Sequence, residues 1–521
     1  MLDAKKVILT LADNTTNTIT DSSRLSTEED YSAAIYSKED LIINGNGTLN
    51  VNAGYRNGIK STDDCIIVSG TLNITSTEDG IIGKDLCGIV AGDININAGS
   101  DGIKSTYDTD TTKGNVIIEG GNITIKASND GIQAENILVI NDGTINIKTN
   151  NGAADTTQTH TDNMYMGRGG FGFNNNKTTT TTDDTSESRK GIKAGNMLII
   201  NDGDITIDSD DDSVHCNSVI YIYGGTINAA TGDDGVHADD LLTVNGGTIN
   251  ITQCYEGLEA DDIVINDGDI SVVSSDDGIN SSDGSITING GNLLINASGD
   301  GLDANGSIII NGGYIVVLGP TSDGDTAIDY DDSCTINGGT VMAFGSSGML
   351  EIPKGASNGA CIVTAFTSVS GGSKYTLSDS NGNEILSYTP SKAYAAAIVY
   401  SDKITTGNTY NITAGSTTLS IEVTSDVTSN VSSGFGGAGG MNKPGNGGSG
   451  MPNNGSSYNG MNGNSNGSMP DMSGNGAPDM NGNSSGDMPS MGGNSSNNSG
   501  NMPNMNNGSS NGNAPQMNNR M

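Results

Sequence analysis

Residues 101–105 of this chain read Asp-Gly-Ile-Lys-Ser, and variants of this phrase recur at a spacing of about 22 residues. The variants stand at 57–61, 79–81, 130–134, 190–194, 212–216, 234–238, 256–260, 277–281 and 300–304. A fixed period of this length is typical of a solenoid, in which each repeat buries its apolar face only against its neighbours. The phrase therefore predicts a stack of similar coils.

Each repeat contains three short apolar strips, which we name the first strip, the second strip and the Asp-Gly-Ile strip in chain order. The second strip reads Gly-Thr-Ile-Asn-Ile, as at 143–147 and 247–251. Its alternation of apolar and polar residues indicates a strand with one buried face. Each coil of about 22 residues contains three short strands rich in β-branched residues. This pattern predicts an all-β fold, a parallel β-helix, and nearly excludes α-helix.

An asparagine recurs two residues before the glycine of the second strip. Side chains at one turn position stack on each other when coils are in register, so we expect a hydrogen-bonded ladder in which each amide donates to the next coil's carbonyl. The residues concerned are Asn141, Asn201, Asn245, Asn266, Asn289, Asn311 and Asn337.

The repeat divides the chain into regions. Residues 1–345 are predicted to form the β-helix, with a flexible insertion at 150–190, and residues 346–432 a small β cap over its open end. Outward apolar residues near that end (Leu294, Val316, Met342 and Tyr314) should be covered by the cap. The Gly, Asn, Ser and Met-rich residues 433–521 are expected to be disordered. Because the first residues lead directly into a strand without a signal peptide, we expect a truncated or mis-assigned N terminus.

Composition narrows the class of partner. The formal net charge of −39, from 61 acidic and 22 basic residues, disfavours nucleic acid. No apolar run is long enough to cross a membrane. The six cysteines occupy rows that are otherwise aliphatic, which predicts buried free thiols rather than a disulfide framework.

Acidic residues gather in two rows, one just before the Asp-Gly-Ile glycine and one about five residues after it. Carboxylates stacked at coil spacing repel one another, and Ca²⁺ relieves this by taking six to eight oxygen ligands. The alternative is that Asp-Gly only satisfies a turn and faces water. The candidate calcium ligands are Asp79, Asp101, Asp211, Asp212, Asp233, Asp234, Asp239, Asp240, Asp261, Asp262, Asp276, Asp277 and Asp300.

One side chain of each Asp-Gly-Ile strip points outward between the acidic rows. Among these residues, Lys60, Lys104, Lys193, His215 and His237 are the candidate substrate-binding residues. A line of cations flanked by calcium suits an extended acidic sugar chain, although a solvated strand face is the alternative. The absence of Trp and the 4% aromatic content favour a soluble acidic polymer over crystalline cellulose.

The repeated phrase, the segment Asn-Gly-Gly-Thr-Ile-Asn-Ile at 245–251 and the opening Tyr-Ser-Ala-Ala-Ile-Tyr-Ser-Lys-Glu-Asp at 31–40 carry a family resemblance. Over roughly residues 4–430 the chain resembles the clostridial carbohydrate-binding β-helix proteins. The resemblance implies a right-handed parallel β-helix similar in fold to pectate lyases, with bound calcium. It also implies binding of polygalacturonate and cellulose.

From the residues and the resemblance together we expect a monomeric, non-catalytic protein outside the cell or on its surface. It would bind plant cell-wall polysaccharide in a calcium-dependent manner, polygalacturonate (pectin) first and possibly cellulose. One alternative is a pectate-lyase-like enzyme with Lys104 or Lys193 as the base, although the solenoid contains few arginines. The other is a structural or adhesive surface protein.

Overall fold

The computed structural model describes residues 4–22, 31–154 and 188–431. Every regular element in these ranges is a β-strand, and they contain no helix that would be long and apolar enough to span a membrane. Within the described part of the chain, thirteen second-strip strands stack in parallel register, one per coil, with the coils about 23 residues apart. The predicted all-β parallel solenoid is confirmed.

Three sets of strands build the coils. The first-strip strands are Lys6–Leu11, Asp40–Gly45, Asp64–Ile67, Leu86–Ile89, Asn115–Ile118, Ile137–Ile140, Met197–Ile200, Val219–Ile222, Ile286–Ile288, Ser307–Ile310, Ser333–Ile336 and Gly355–Ala356. The second-strip strands are Thr16–Asp21, Thr48–Ala53, Thr71–Ser76, Asp93–Ala98, Asn122–Ala127, Thr144–Thr149, Asp204–Ser209, Thr226–Thr231, Thr248–Cys254, Asp269–Ser274, Asn292–Asn296, Tyr314–Leu318 and Thr340–Gly345. The Asp-Gly-Ile strands are Ala33–Ser37, Asn57–Ser61, Ile81–Gly83, Ile103–Ser105, Ile132–Ala134, Ile192–Ala194, Val214–Cys216, Ile279–Ser281, Leu302–Ala304 and Ile328–Tyr330. In two coils the Asp-Gly-Ile and first strips merge into the single strands Val236–Val244 and Leu258–Ile265.

The core is a set of vertical rows of inward side chains. Leu41, Cys65 and Cys87 lie in register on successive coils and are completely buried. All six cysteines are buried and free, as predicted, so these thiols pack as small apolar groups. Each coil buries its apolar side chains against the next, so contacts between neighbouring coils stabilise the solenoid.

The two glycines of each repeat are needed for different reasons. Glycines that precede the second strip adopt positive φ, for example 127° at Gly143 and 92° at Gly247, which other residues rarely do. The Asp-Gly-Ile glycines have no such φ. A Cβ on Gly102 would lie 2.4 Å from Ile125 Cγ2 and 2.5 Å from the Gly131 carbonyl oxygen. This second row of glycines is therefore set by close packing between coils.

The predicted asparagine ladder is present, and each acceptor is the side-chain carbonyl oxygen of the asparagine on the preceding coil. Asn266 Nδ2 donates to Asn245 Oδ1 at 2.9 Å, and Asn289 Nδ2 donates to Asn266 Oδ1 at 2.8 Å, so side chains bond to side chains. Asn201 likewise donates to Asn141 at 2.7 Å. Tyr223 occupies the intervening position and divides the ladder.

The C-terminal region continues the second-strip sheet with antiparallel strands. Thr340–Gly345 pairs with Tyr394–Ser401, which pairs with Ala360–Val369, and the latter pairs with Val427–Ser429. A separate sheet contains Tyr375–Asp379, Glu384–Tyr388, Thr409–Ala414 and Thr417–Glu422. The described strands of this region belong to the same compact unit as the solenoid.

The region covers only part of the apolar stripe that the sequence singled out. Val316 and Met342 are buried, whereas Leu294 is 40% and Tyr314 is 45% exposed. The prediction that all four are covered is wrong for these two. The predictions for the insertion and the tail fall largely on residues 155–187 and 432–521, outside the described residues.

Candidate functional site

The outward side chains of the Asp-Gly-Ile strands form one continuous line, which we call the outward row. Strand register places Lys193 beside His215, His215 beside His237 and His237 beside Glu259. The row comprises Tyr36, Lys60, Ile82, Lys104, Gln133, Lys193, His215, His237, Glu259, Asn280, Asp303 and Asp329. Ile82 is 2% and His215 is 8% exposed, so the row is recessed where these residues lie.

One oxygen of each aspartate that precedes the glycine holds the coils together. Asp101 Oδ1 accepts a hydrogen bond from the backbone N–H of Asp130 at 3.0 Å, and Asp212 Oδ1 accepts one from Asp234 at 3.1 Å. The same contact joins Asp277 to Asp300 at 2.6 Å. This oxygen is used structurally, because it satisfies a backbone donor of the next coil.

The second oxygen faces the outward row and meets the side chain three residues later. Asp101 Oδ2 lies 2.7 Å from Lys104 Nζ. Asp212 Oδ2 lies 2.8 Å from His215 Nδ1, and Asp234 Oδ2 lies 3.2 Å from His237 Nδ1. The residue in the outward row therefore decides whether the aspartate beside it has a counter-charge.

In the middle of the row, basic side chains contact the acids. Lys190 Nζ contacts Asp211 Oδ1 at 2.9 Å and Asp212 Oδ2 at 2.6 Å. Burial raises the pKa of Asp212, but Lys190 and the two histidines outweigh it and hold this pKa well below its usual range. Burial lowers the pKa of His237, yet Asp234, Asp212 and Glu259 raise it to about 10.

Towards the C-terminal end the row itself becomes acidic. Oxygens of Asp277, Asp300 and Asp303 all lie within 4.8 Å of one another. Among the described residues no lysine, arginine or histidine forms an ion pair with any of the three. Burial, reinforced by neighbouring carboxylates, raises the pKa of Asp277 to about 9, of Asp300 to about 8 and of Asp303 to about 7. These side chains have the charge and ligand type that a hard divalent cation neutralises.

The remaining predicted ligands are distributed more widely. Asp211, Asp212 and Asp233 form a second close group, already supplied with Lys190. The other candidates bond elsewhere: Asp79 accepts from the Asp101 N–H, Asp240 from Ser218 Oγ, Asp261 from Ser282 Oγ and Asp262 from the Ser285 N–H. Asp276 is half-buried, and a Cβ on Gly299 would lie 2.4 Å from its Oδ1.

The predicted substrate-binding residues differ in how free they are. Both ring nitrogens of His215 are engaged, by Asp212 and by Asn217 Oδ1 at 2.9 Å. Lys193 Nζ donates to Ser188 Oγ at 3.2 Å. Lys60 is half-buried, and burial lowers its pKa. Of the three lysines, Lys104 forms an ion pair with a carboxylate, that of Asp101, whereas Lys193 contacts a neutral hydroxyl.

Sequence reasoning missed three residues of these groups: Lys190, Glu259 and Asp303. Glu259 and Asp303 stand in the outward row, so the periodicity located them without assigning them a role. The signal that would have found them is the spacing of three from the aspartate before the glycine, as in Asp300 and Asp303. Lys190 occupies the aspartate position of its own repeat, where its opposite charge marks it.

The outward row is a long line of mostly polar and charged side chains on one face of a parallel β-helix, and a surface of this shape suits a polymer better than a small compact ligand. The chain belongs to the carbohydrate-binding domain-containing protein family, which matches residues 1–235 and 233–420. A carbohydrate-binding domain-containing protein of Acetivibrio thermocellus is 39% identical over 75 residues, 14% of this chain and 26% of that protein. The match thus spans about a quarter of that relative. No solved structure matches this chain.

Proposed function

We propose that this protein binds an acidic plant cell-wall polysaccharide, polygalacturonate, through calcium, at or outside the cell surface. Membership of a carbohydrate-binding family supports a sugar partner. The group of Asp277, Asp300 and Asp303 is the observation that supports calcium and an acidic sugar as ligands. It lies along the outward row without a basic partner among the described residues.

The chemistry of a calcium bridge follows from the ligand count. Ca²⁺ takes six to eight oxygens, and these three aspartates supply only part of that number. Uronate carboxylates and hydroxyls of a bound sugar are the same type of hard oxygen ligand. One ion can therefore join the acidic end of the row to an acidic polymer that would otherwise be repelled by a chain of −39 charge.

The other half of the row can meet uronates directly. Lys60, Lys104 and Lys193 are in the outward row, and consecutive strands lie about 4.8 Å apart. Lys104 already contacts Asp101 at 2.7 Å and keeps 23% of its side-chain surface exposed. We expect these lysines to add affinity and orientation, while calcium supplies the stronger attraction.

A non-catalytic role fits the state of Lys104. Although burial lowers the pKa of Lys104, Asp101 outweighs this and raises it, so the amine stays protonated at neutral pH and is a poor general base. Lys60 favours the lyase alternative, because burial lowers its pKa. It stands three residues before Asp63. Asp63 forms a further acidic group with Asp40 and Asp64. This makes Lys60 the residue of interest for a lyase reaction.

Affinity electrophoresis through gels that contain polygalacturonate tests the proposal. In calcium the protein should be retarded, and retardation should disappear with a chelator or with Asp303→Asn. Asp269→Asn is the matched control, since it removes the same charge from an exposed position on a second-strip strand. Equal retardation with and without calcium would refute the bridge, and ultraviolet absorbance from unsaturated uronate would establish lyase activity instead.

A further inference from the structure

His237 is enclosed by carboxylates in a way that the calcium proposal does not use. Its Nδ1 lies 3.2 Å from Asp234 Oδ2 and 3.0 Å from Glu259 Oε2. Its Nε2 lies 3.6 Å from Asp239 Oδ1. Asp212 Oδ2 of the preceding coil lies 4.0 Å from Nδ1, so one imidazole is placed among four acids of three successive coils.

These contacts leave the acids under-compensated. A single N–H at Nδ1 cannot make two strong hydrogen bonds at once, and an imidazolium supplies one positive charge for four carboxylates, of which only Asp212 also contacts a lysine in the described part of the chain. Among the described residues no lysine or arginine forms an ion pair with Asp234 or Glu259. Their side chains are only 9% and 19% exposed, so solvent screens the repulsion poorly.

The ligand atoms are already gathered as a metal would need them. One oxygen of Asp234, one nitrogen of His237 and one oxygen of Glu259 all lie within 4.8 Å of one another. Tetrahedral Zn²⁺ sites have ligand bonds of about 2.0–2.2 Å, so only small side-chain movements separate this arrangement from coordination. The neighbouring group of Asp212, His215 and His237 is less suitable because Lys190 already lies 2.6 Å from Asp212.

We propose that Asp234, His237 and Glu259 bind a divalent metal ion of the zinc type, at a site separate from the all-oxygen calcium group. An imidazole with two carboxylates is a ligand set that zinc and similar transition metals accept, whereas calcium prefers oxygen alone. Metal binding displaces the proton that His237 otherwise holds, so binding weakens as the pH falls. The metal would then neutralise two acids that the protein alone leaves unbalanced.

The position of this site would allow a bound metal to contact a sugar on the outward row. His237 and Glu259 are neighbours in the outward row, and His237 keeps 25% of its side-chain surface exposed. Three protein ligands leave one tetrahedral position open, which a uronate carboxylate or a sugar hydroxyl can fill. This last step rests on the proposed function, whereas metal binding itself does not.

Titration of the full chain with Zn²⁺ and with Co²⁺ tests the inference in the presence of saturating calcium, which occupies the all-oxygen groups. We expect one zinc equivalent and a visible Co²⁺ absorption typical of tetrahedral geometry. His237→Gln and Glu259→Gln should each weaken zinc binding about ten- to a hundredfold. Circular dichroism and the unfolding midpoint establish that each variant is folded.

His215→Gln is the matched control, because it removes the adjacent imidazole outside the proposed ligand set. It should leave zinc affinity within about threefold, a change below 1 kcal/mol. No zinc binding by the native chain, or a larger loss in His215→Gln than in His237→Gln, would overturn the assignment. Failure of the calcium bridge shows instead in polygalacturonate binding by Asp303→Asn, a variant that should keep its zinc.

Discussion

At the scale of single residues, the phrase Asp-Gly-Ile-x assigns separate tasks to the two oxygens of its aspartate. Oδ1 accepts the backbone N–H of the next coil, as Asp101 does from Asp130, so a polar residue is useful there in every coil. Oδ2 faces the residue three positions later, which is Lys104 beside Asp101. Where that residue is Asp303, two carboxylates meet and neither has a basic partner among the described residues.

Replacing Asp303 by Asn tests whether these carboxylates bind a cation. The variant loses a carboxylate from the proposed calcium site, so calcium affinity should fall about ten- to a hundredfold. In a chelator the same variant should unfold at a higher temperature than the native chain, because repulsion between buried acids is removed. Calorimetric titration and thermal unfolding measure the two effects.

Asp269→Asn controls for the general loss of one negative charge. It should leave calcium affinity unchanged and should not raise the unfolding temperature in chelator. Lower stability of Asp303→Asn in chelator would mean that Asp303 stabilises the fold as an anion, against this account.

The sequence predicted the members of the outward row correctly, but it did not predict which side chains contact each other. Alternation along short strands is enough to place Lys193, His215 and His237 on one face. It does not show that the side chain at the fourth position of the phrase reaches back to the first. That contact depends on the backbone conformation of the turn between the aspartate and the strand. The periodic sequence pattern does not reveal this conformation.

At the scale of strands and turns, the two glycine rows separate backbone conformation from packing. Positive φ at Gly143 turns the chain into the second strip. Gly102, by contrast, lets the next coil approach its backbone. From sequence both rows look like turn glycines, because spacing between coils cannot be inferred from a single repeat.

Gly102→Ala should therefore destabilise the solenoid although no unusual φ is involved. The added methyl would overlap Ile125 and the carbonyl oxygen of Gly131, and overpacking of this kind costs about 1–3 kcal/mol. The midpoint of urea unfolding should fall accordingly. Gly324→Ala, where a Cβ meets nothing within 4 Å, should leave the midpoint unchanged, and equal effects at both positions would contradict the packing argument.

At the scale of the whole molecule, charge balance changes along the solenoid. Lys190 neutralises Asp211 and Asp212 in part in the middle, while Asp277, Asp300 and Asp303 have no basic partner among the described residues. The sequence predicted the strong net negative charge and both acidic rows. It could not predict which coils are balanced, because Lys190 is brought to its partners by coil stacking after an insertion.

Stability should fall with rising pH when divalent cations are absent. A carboxyl whose pKa is higher in the folded than in the unfolded chain stabilises the fold at low pH, and this contribution is lost as the pH rises through the folded value. For Asp303, Asp300 and Asp277 the loss begins near the unfolded carboxyl pKa of about 4 and is complete at about pH 7, 8 and 9 respectively. His237 has the same sign, with its loss near pH 10, whereas the lowered pKa of Asp212 matters only in strong acid.

Thermal unfolding between pH 6 and pH 9.5 in chelator measures this dependence. The unfolding temperature should decrease across the range, and added calcium should flatten the decrease because it takes the place of the protons. Asp303→Asn should show a shallower slope than Asp269→Asn. A flat profile in chelator would contradict the charge imbalance.

The most direct measurement is a crystal structure of the protein grown with calcium and an oligogalacturonate. The account predicts an ion about 2.3–2.6 Å from oxygens of Asp277, Asp300 and Asp303, with a uronate carboxylate completing its coordination. An oligosaccharide bound on the outward row with no ion at this group, or calcium bound only elsewhere, would contradict it.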